Sequence, residues 1–551
     1  MKINLKPDLK RLPRPHLRIR PDALARLKRF LPPSPRRFPM PGMPGLAVNL
    51  KTRVDPEKVL RLLSLRYATA GLVVVALASL YGAATFSRPG GASAKGGAVP
   101  VTTAVMVCPG HEGGRLAMQS LPDRKGGGSV VMTPTGGGAA LGSMSSPGQG
   151  WEEDTETGET SYTLRATGAM AAGLEAEQTT HRDDGPDRGL AGARCAAPAT
   201  DQWFTGPGPA SADELDLYLT NVDAQPAFVD LAALSGDGPL DTVDGRGIRV
   251  DPRTTRIVKI GKSAEGLGDA VRGAVDLTLR VRAGGGRVAA SLRARIGEGK
   301  GIEWLPRAHP PAASLLVPGV PDGAGKRRLL VAVPGESDAR IEVRVITTEG
   351  AYAPYGQDVL DAPAKTVTSV ALDRALLGKA AAVRLTSDRP IVAGFAAERG
   401  ADVAYGAATA PLAASGPGIV ADNRFDSALL LTAPDGPATV EVTTLSADGA
   451  GSPREVAIPA GTTVRTELKA PAAAGDAGGS GGGGESGEDG EGVAYGAVIT
   501  PKPGSAPVHA SRTMSTGKGD EYLFTVLPIV PAVTTIHLPD TADSQSALIP
   551  G

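Results

Sequence analysis

VDLTLRVRAGGGRVAASLRARI, residues Val275 to Ile296, contains two runs of alternating apolar and polar side chains separated by a glycine turn. Alternation with a period of two residues is typical of β-strands that bury one face. Related stretches recur as TLRATGAMAAGLEAE (Thr163 to Glu177), AVRLTSDRPIVAGFAAE (Ala382 to Glu398) and GAVITPKPGSAPVHASR (Gly496 to Arg512). We interpret the stretch as a hairpin that occurs four times.

Two further patterns accompany this predicted hairpin. A Gly-led aromatic segment follows it as GKGIEWLP (Gly299 to Pro306) and GKGDEYLF (Gly517 to Phe524), which aligns Trp304 with Tyr522. An apolar opening strand that stops at a turn occurs as AVMVCPG (Ala104 to Gly110), LDLYLTNVD (Leu215 to Asp223), LLVAVPG (Leu329 to Gly335) and LLLTAPDG (Leu429 to Gly436). Their spacing indicates a domain-sized repeat.

We therefore predict an all-β exterior made of four tandem units at 99–214, 215–325, 326–425 and 426–540. Short strands with frequent turn signals over about 100 residues favour immunoglobulin-like β-sandwiches. The alternative is a closed β-propeller, in which each unit supplies two four-stranded blades and the last strand closes on the first. Sequence periodicity alone does not separate these two folds.

Composition supports the all-β prediction. The 551 residues include 73 glycines and 47 prolines, and only 4% of them are aromatic, which suits many short strands and turns better than a helical bundle. The Gly- and acid-rich stretch 474–492 interrupts the fourth unit. It has too few apolar residues to form a core, so we expect a flexible surface loop. Residues 541–551 form a tail.

The charge is divided unevenly along the chain. Residues 1–66 carry 17 Lys and Arg against 4 Asp and Glu, whereas the whole chain carries 58 of each kind. The uncharged stretch from Tyr67 to Phe86 separates the basic arm from the acidic remainder, and its 20 residues match the length of a transmembrane helix. The positive-inside rule then predicts a cytoplasmic N-terminus and an extracytoplasmic C-terminal region, joined through a stalk at 87–98. Cleavage after the small residues near Thr85 is the alternative, and it would release a secreted form.

The basic arm at 1–66 contains ten prolines among its first 45 residues, so we expect it to be mostly disordered. A helix from Pro21 to Leu31 would turn basic side chains toward anionic lipid. The basic residues expected at the membrane surface are Arg26, Lys28, Arg29, Arg36 and Arg37. A tether without any partner beyond the membrane is the equal alternative, and no nucleic-acid-binding fold accompanies the basic run.

Both cysteines, Cys108 and Cys195, follow the predicted membrane segment. A single pair in an oxidising compartment predicts a disulfide. Free thiols or a metal pair are the alternatives, but no further ligands lie at metal-binding spacing.

Catalytic and metal-binding motifs give no strong match. The six histidines form no HExxH pattern, and GKS at Gly261 to Ser263 lacks the upstream glycine of a phosphate-binding loop. Ser515 and Lys518 have the S-x-x-K spacing, but they lie in a Gly-rich stretch between strands. We expect no cofactor, no metal and no enzymatic activity.

A set of aromatic residues is the remaining candidate for ligand contact. Its members are Trp203, Phe204, Trp304, Tyr405 and Tyr522. Exposed rings would stack on sugars. Because four cores have few aromatic residues to fill them, we favour the interpretation that these rings fill cores or joints between domains.

The chain resembles an uncharacterised family of actinobacterial extracytoplasmic proteins that is known as a domain of unknown function. The resemblance rests on VCPG (Val107 to Gly110), RCAAPATDQWFTGPG (Arg194 to Gly208), LDLYLTNVD and TSDRPIVAG (Thr386 to Gly394), and it extends over roughly 98–540. It implies a β-rich exterior in the cell envelope and brings no catalytic residue.

These observations together predict a membrane-anchored, non-enzymatic binding or scaffolding protein of the cell envelope. Its expected partners are the cytoplasmic membrane and either cell-wall glycan or another envelope protein. The alternative is an envelope enzyme, or an accessory factor in glycan metabolism. A cleft that holds two carboxylates about 5 to 10 Å apart would favour the enzyme.

Overall fold

A computed structural model describes residues 67–82 except 69, and 96–110, 113–158, 160–240, 243–297, 299–446, 449–470 and 495–540. The basic arm, the stretch 474–492 and the tail 541–551 lie outside these residues. Residues 67–82 are helical where described, while 83–86 of the predicted membrane segment are not described. Among the described residues, no helix has both the length and the apolar character needed to cross a bilayer. The two compact units of the chain are 1–92 with 546–550, and 93–545 with 551. The second unit contains all the β-strands given below.

The described strands are numbered β1 to β36 in chain order, and most of them fall into four segments. The first and last strands are β1 Ala98–Pro100 and β36 Thr535–His537. Segment 1 (103–194) comprises β2 Thr103–Cys108, β3 Gly114–Gln119, β4 Gly128–Pro134, β5 Gly142–Met144, β6 Gly150–Thr155, β7 Tyr162–Gly168, β8 Glu175–Arg182 and β9 Gly189–Arg194. Segment 2 (201–305) comprises β10 Asp201–Pro207, β11 Glu214–Asn221, β12 Ala227–Ser235, β13 Gly238–Leu240, β14 Ile248–Val250, β15 Thr254–Lys259, β16 Asp276–Gly285, β17 Ala289–Arg295 and β18 Ile302–Leu305.

The other two segments contain corresponding strands. Segment 3 (312–407) comprises β19 Ala312–Val320, β20 Lys326–Ala332, β21 Ala339–Thr347, β22 Gly350–Tyr352, β23 Val359–Ala362, β24 Val367–Ala371, β25 Ala381–Arg399 and β26 Asp402–Ala407. Segment 4 (418–529) comprises β27 Gly418–Val420, β28 Asp426–Ala433, β29 Ala438–Ser446, β30 Gly449–Ala450, β31 Arg454–Ile458, β32 Thr462–Glu467, β33 Gly496–Pro501, β34 His509–Thr516 and β35 Leu523–Ile529. Short helices lie at Asp373–Leu376 (α), Gly268–Val271 and Gly519–Glu521 (both 3-10).

The all-β prediction is confirmed, and every segment repeats one topology. Segment 1 forms two antiparallel sheets in the orders β2-β7-β4-β5 and β6-β3-β8-β9. Segment 2 repeats these orders as β10-β16-β12-β13 and β15-β11-β17-β18, and segment 4 as β27-β33-β29-β30 and β32-β28-β34-β35. In segment 3, the first half of β25 pairs with β19 and β21, and its second half pairs with β20 and β26.

The predicted hairpin is therefore wrong. Its two strands, such as β16 and β17, belong to different sheets of one segment and do not pair with each other. In segment 3 they form one continuous 19-residue strand that passes from one sheet to the other. The Gly, Pro or Ala residues between the two runs form a crossover between sheets, which has the same local composition as a hairpin turn. The hairpins at this point of each segment are instead β8–β9, β17–β18, β25–β26 and β34–β35.

The predicted opening strands and the predicted unit boundaries also differ from the observed strand pairing. AVMVCPG contains the first strand of segment 1, whereas LDLYLTNVD, LLVAVPG and LLLTAPDG contain the second strand of their segments. The strands β10, β19 and β27 lie at the ends of the predicted units but pair with strands of the following segment. The sheets accordingly group residues 103–194, 201–305, 312–407 and 418–529.

Each segment buries a hydrophobic cluster to which both of its sheets contribute. In segment 2 this cluster includes Phe204, Leu217, Val229 and Leu279, and each of these four side chains is at most 1% exposed. The other clusters centre on Leu164, Phe395 and Leu431. Alternating burial along a strand such as β12 directs one side of each sheet toward this cluster.

The four segments contact one another in a closed ring. The last strand of each segment, namely β9, β18, β26 and β35, contacts the last strands of the two adjacent segments, so that β35 returns to β9. We call these four the axial strands. The first strand of each segment also packs against the next segment, as β10 does against β25 and β19 against β34. Outside the segments, β1 pairs with β36 and joins the two ends of the β region.

Candidate functional site: an axial cavity

A cavity of about 500 Å³ lies where the axial strands end. Its walls include 192–197 at the end of β9, 304–310 around the end of β18, 408–410 after β26, and 526–528 with 530–531 around the end of β35. Strand β2 supplies further wall through Thr103 to Met106. All four segments therefore build one site, which we call the axial cavity. Its volume falls within the range of about 300–1,000 Å³ that is typical of small-molecule sites.

The sequence around the end of each axial strand is rich in alanine and proline. The chain continues as CAAPA (195–199), PRAHPP (306–311), AATAP (407–411) and PIVPA (528–532). Proline lacks the N–H group that a central strand must donate, so it ends sheet pairing. Alanine carries little side-chain volume, so alanines facing one another leave space at the centre. These four stretches make the walls mostly apolar.

Arg194 is one of two arginines in the wall. Its Nε and Nη2 atoms donate to both carboxylate oxygens of Glu175. Glu175 is almost fully buried beneath it, and burial raises the pKa of this carboxyl while Arg194 opposes that shift. The charge of Arg194 is therefore largely neutralised within the protein.

Arg307 is the other arginine, and it has no carboxylate partner among the described residues. Its Nη1 atom lies 3.5 Å from the carbonyl oxygen of Ala197 and 3.5 Å from Oε1 of Gln202, which is at the outer limit of a hydrogen bond. The side chain remains solvent-exposed. Desolvation by the surrounding protein and then repulsion by Arg194 lower the pKa of Arg307. The wall therefore contains a guanidinium group whose charge is not compensated locally.

Thr409, Trp304 and His309 are among the other polar side chains that line the axial cavity. Thr409 is 5% exposed and Trp304 is 4% exposed. Thr409 Oγ1 and Trp304 Nε1 have no hydrogen-bond partner among the described residues. His309 is half-buried, and its Nδ1 atom lies 2.7 Å from the carbonyl oxygen of Pro310. Buried polar atoms are normally satisfied, so these two are exceptions, and both atoms are themselves covered by the protein.

Buried carboxylates occur close to the axis but do not line the cavity. Glu303 Oε1 accepts hydrogen bonds from the backbone N–H groups of Gly192 (3.1 Å) and Trp304 (2.9 Å). Asp402 accepts from the N–H groups of Val403 (2.9 Å) and Phe524 (2.7 Å). Burial raises the pKa of Glu303 well above its usual range and that of Asp402 to about 8. These carboxyls connect axial strands of adjacent segments, and both are at most 1% exposed.

A buried ion pair lies between segments 4 and 1, where the ring closes. Arg512 Nη2 is 3.1 Å from Glu177 Oε2, and the two side chains are 0% and 1% exposed. Glu177 Oε1 also accepts from the N–H of Ala421 at 2.7 Å. Burial raises the pKa of Glu177 to about 7 even though Arg512 opposes the shift. The closing contact of the ring is therefore polar as well as apolar.

The aromatic residues singled out in the sequence do not form an exposed row. Trp203 (5%), Phe204 (1%), Trp304 (4%) and Tyr405 (4%) are buried. Tyr522 is partly buried: Arg399 Cζ lies 3.8 Å from its ring centroid, and Phe524 stacks on it at 5.8 Å. Rings covered in this way do not offer a free face to a saccharide, so sugar stacking along such a row is not supported.

The pairing of β18 and β35 also changes the alignment of these rings. Ile302 pairs with Arg295 and Leu523 with Thr516, so the two loops between the paired strands have equal length. By this pairing Trp304 corresponds to Thr525, and Tyr522 lies before its strand. The GKG match is thus three residues out of register with the strands.

Of the other predicted residues, the disulfide is confirmed. Cys108 and Cys195 are bonded with their Cα atoms 4.3 Å apart, linking the end of β2 to the residue after β9 beside the cavity. Arg26, Lys28, Arg29, Arg36 and Arg37 lie outside the described residues. Sequence reasoning missed Arg307 and Thr409. The recurrence of Ala- and Pro-rich stretches after each last strand is the signal that could have located them.

No curated protein is significantly similar to the chain. One solved structure, the crystal structure of a tetra-tandem repeat in the extending region of a large adhesion protein, is 14% identical. That alignment covers 80% of this chain and 100% of the other, but its TM-score of 0.07 carries no argument about fold. A family profile described as "Family of unknown function (DUF5719)" matches residues 151–469. Since the match spans more than half of the chain, the protein belongs to the DUF5719 family.

Proposed function

We propose that this protein is a non-enzymatic, membrane-anchored binding protein of the cell envelope, and that its ligand occupies the axial cavity. The observation that carries the proposal is that all four segments contribute walls to one mostly apolar cavity. Small-molecule sites combine apolar walls with a few polar groups that fix orientation. Arg307, Thr409 and Trp304 supply such groups here.

The architecture of the individual segments is also part of this proposal. Each segment is interpreted as a two-sheet sandwich of the immunoglobulin-like type, and the four sandwiches form a ring around the axial strands. The ring shares with a propeller the central site and the pairing of first and last strands, β1 with β36. Its strands are not consecutive within each sheet, so the sheets are not simple meanders.

The alternative, an envelope enzyme or accessory factor in glycan metabolism, needs carboxylates that a substrate reaches. Glu303 and Asp402 are buried, and within the described part of the chain no Asp or Glu lines the axial cavity. A binding role therefore accounts better for the site.

Binding is tested by purifying the full chain with its surrounding lipid in polymer-bounded particles and identifying co-purifying small molecules by native mass spectrometry. Ala197→Trp narrows the cavity at an exposed wall position, and Ala371→Trp places the same ring at an exposed position outside it. We expect the bound species to be lost only from Ala197→Trp. Equal occupancy in both variants would contradict the proposal.

The envelope location is tested separately. Its support is the uncharged segment at 67–86 beside a strongly basic arm. We expect the intact chain in the membrane fraction, with protease cleaving the β region of intact cells or protoplasts from outside. A soluble extracellular form that begins near Thr85 would overturn the anchor.

A further inference from the structure

We propose that the ligand of the axial cavity is an anionic amphiphile, with a carboxylate or phosphate head on Arg307 and an alkyl chain against the apolar walls. This inference rests on the proposed binding function and adds the chemical class of the ligand. It follows from three features of the wall, namely its charge, its unpaired polar atoms and its apolar surface.

The charge of the wall selects an anion. Among the residues that the structure describes, the lining contains Arg194 and Arg307 and no Asp, Glu or Lys. Glu175 neutralises Arg194, whereas the only polar contacts of Arg307 among the described residues are two neutral oxygens at 3.5 Å. A guanidinium group presents a planar fork that matches carboxylate and phosphate oxygens. An anionic head would thus supply the partner that the protein does not.

Thr409 and Trp304 add polar side chains to the same lining. Thr409 Oγ1 and Trp304 Nε1 belong to side chains that are more than nine-tenths buried and line the cavity. Leaving such atoms unpaired costs free energy. Because both atoms are covered, they reach a head group bound at Arg307 only after a side-chain rotation.

The remaining wall selects an apolar tail. Apart from the polar positions, the lining consists mainly of Ala, Val, Leu and Pro. It includes Val526 of segment 4, and Val530 and Val533 after that segment. An alkyl chain against this surface is removed from water without requiring hydrogen bonds. A sugar would leave its hydroxyls facing methyl groups, at a cost in unpaired hydrogen bonds.

The test uses the full chain in phosphatidylcholine nanodiscs and three photoreactive probes. A diazirine-bearing hexadecanoic acid supplies a free carboxylate, its methyl ester removes the charge, and a diazirine-bearing phosphatidylglycerol supplies a lipid phosphate. Cross-linked peptides are located by mass spectrometry. We expect at least one anionic probe to label peptides that contain 408–410 or 526–533, about tenfold more than the ester does. The anionic probe that labels in this way identifies the source of the head group.

Matched variants decide whether the head binds Arg307. Arg307→Gln should reduce anionic labelling of the cavity about tenfold, to the level of the ester, because one charge-assisted pair is lost. Arg374→Gln, at an exposed position outside the cavity, should leave labelling unchanged. Melting temperatures of both variants establish that they fold.

The outcomes separate this inference from the proposed function. Equal labelling by acid, phosphate and ester probes, unaffected by Arg307→Gln, would refute the anionic head while leaving a binding cavity. Absence of any label from the cavity peptides, together with unchanged co-purifying species in Ala197→Trp, would refute both.

Discussion

Replacing Arg512 with Met should weaken the closure of the ring between segments 4 and 1, and the loss should depend on pH. Arg512 is fully buried, and its Nη2 atom is 3.1 Å from Glu177 Oε2. Methionine keeps much of the side-chain volume but removes the positive charge. Above pH 7 the variant must bury an unpaired carboxylate or protonate it.

The magnitude follows from the burial of both partners. Breaking a buried ion pair from one side typically costs about 3–5 kcal/mol. Glu177 has a pKa of about 7 in the folded protein, against an ordinary value of 4.5. At pH 5 it is already protonated in the folded wild type, so Arg512 there contributes about 1–2 kcal/mol of ordinary hydrogen bonding. Ionisation of a carboxyl with a pKa of about 7 stabilises the folded protein by at most about 1.4 kcal/mol at pH 8. We therefore expect a loss of about 2–3 kcal/mol at pH 8, toward the low end of the general range, and about 1–2 kcal/mol at pH 5.

Amide hydrogen exchange in β8 and β34, with thermal unfolding, measures this loss at both pH values. Arg287→Met is the matched control, because Arg287 and Asp223 form an ion pair whose side chains are 48% and 39% exposed. Such a surface pair contributes about 0–1 kcal/mol. The reasoning fails if Arg512→Met costs no more than the control, or if its cost is equal at pH 5 and pH 8.

Three other perturbations test separate parts of the ring. Replacing Cys108 and Cys195 with serine should lower the free energy of unfolding by about 2–5 kcal/mol, because the disulfide closes a long loop in the unfolded chain. Thermal unfolding that is the same with and without reductant would contradict this prediction. Phe395→Ala should lower the free energy of unfolding by about 3–5 kcal/mol, because it leaves a cavity in the core of segment 3. Tyr355→Ala, at a fully exposed position, should be close to neutral. Denaturant unfolding compares the two variants, and similar losses would contradict the assignment of the core. The pKa of Asp402 is raised to about 8 in the folded protein, so its contribution to stability is present below about pH 4 and is lost as the pH rises through 8. Asp402→Asn should therefore flatten the dependence of melting temperature on pH between about 4 and 8. It should also cost about 1–3 kcal/mol, because one side-chain oxygen that accepts from a backbone N–H is lost, and an unchanged dependence on pH would count against this role.

The sequence predicted those features that depend on local pattern or on a single pair of residues. Alternation along stretches such as Val275 to Ile296 predicted strands, and two cysteines predicted one bond. Whether two successive strands pair or cross between sheets depends on which distant strand each meets. The two halves of β25 have the composition of a hairpin, yet they pair with β21 and β20 on different sheets. Local composition is the same for both outcomes, so the prediction of a hairpin was wrong.

The axial cavity was missed for a related reason. Its walls come from residues more than 300 positions apart, such as Arg194 and Val530, and no spacing rule brings them together. The search for motifs considered residue types that carry catalysis or metals, whereas the wall consists mostly of alanines, valines and prolines. Arginine is a common residue, so Arg307 gave no signal in the sequence. It stands out only because no carboxylate of the described residues pairs with it.

Because the cavity needs all four segments, occupancy and closure of the ring should be coupled. Segment 1 and the residues directly after it contribute 192–197, and segment 4 contributes 526–528. The Glu177–Arg512 pair lies between these two segments. A ligand that binds only the closed ring stabilises it by RT ln(1 + [L]/Kd), about 2.7 kcal/mol at a hundredfold excess over Kd. The Arg512→Met variant, whose changed residue is not part of the cavity lining, should therefore bind the anionic probe more weakly, and saturating probe should recover part of its lost stability. If the variant lost stability but bound the probe with wild-type affinity, the cavity would be preformed by fewer than four segments.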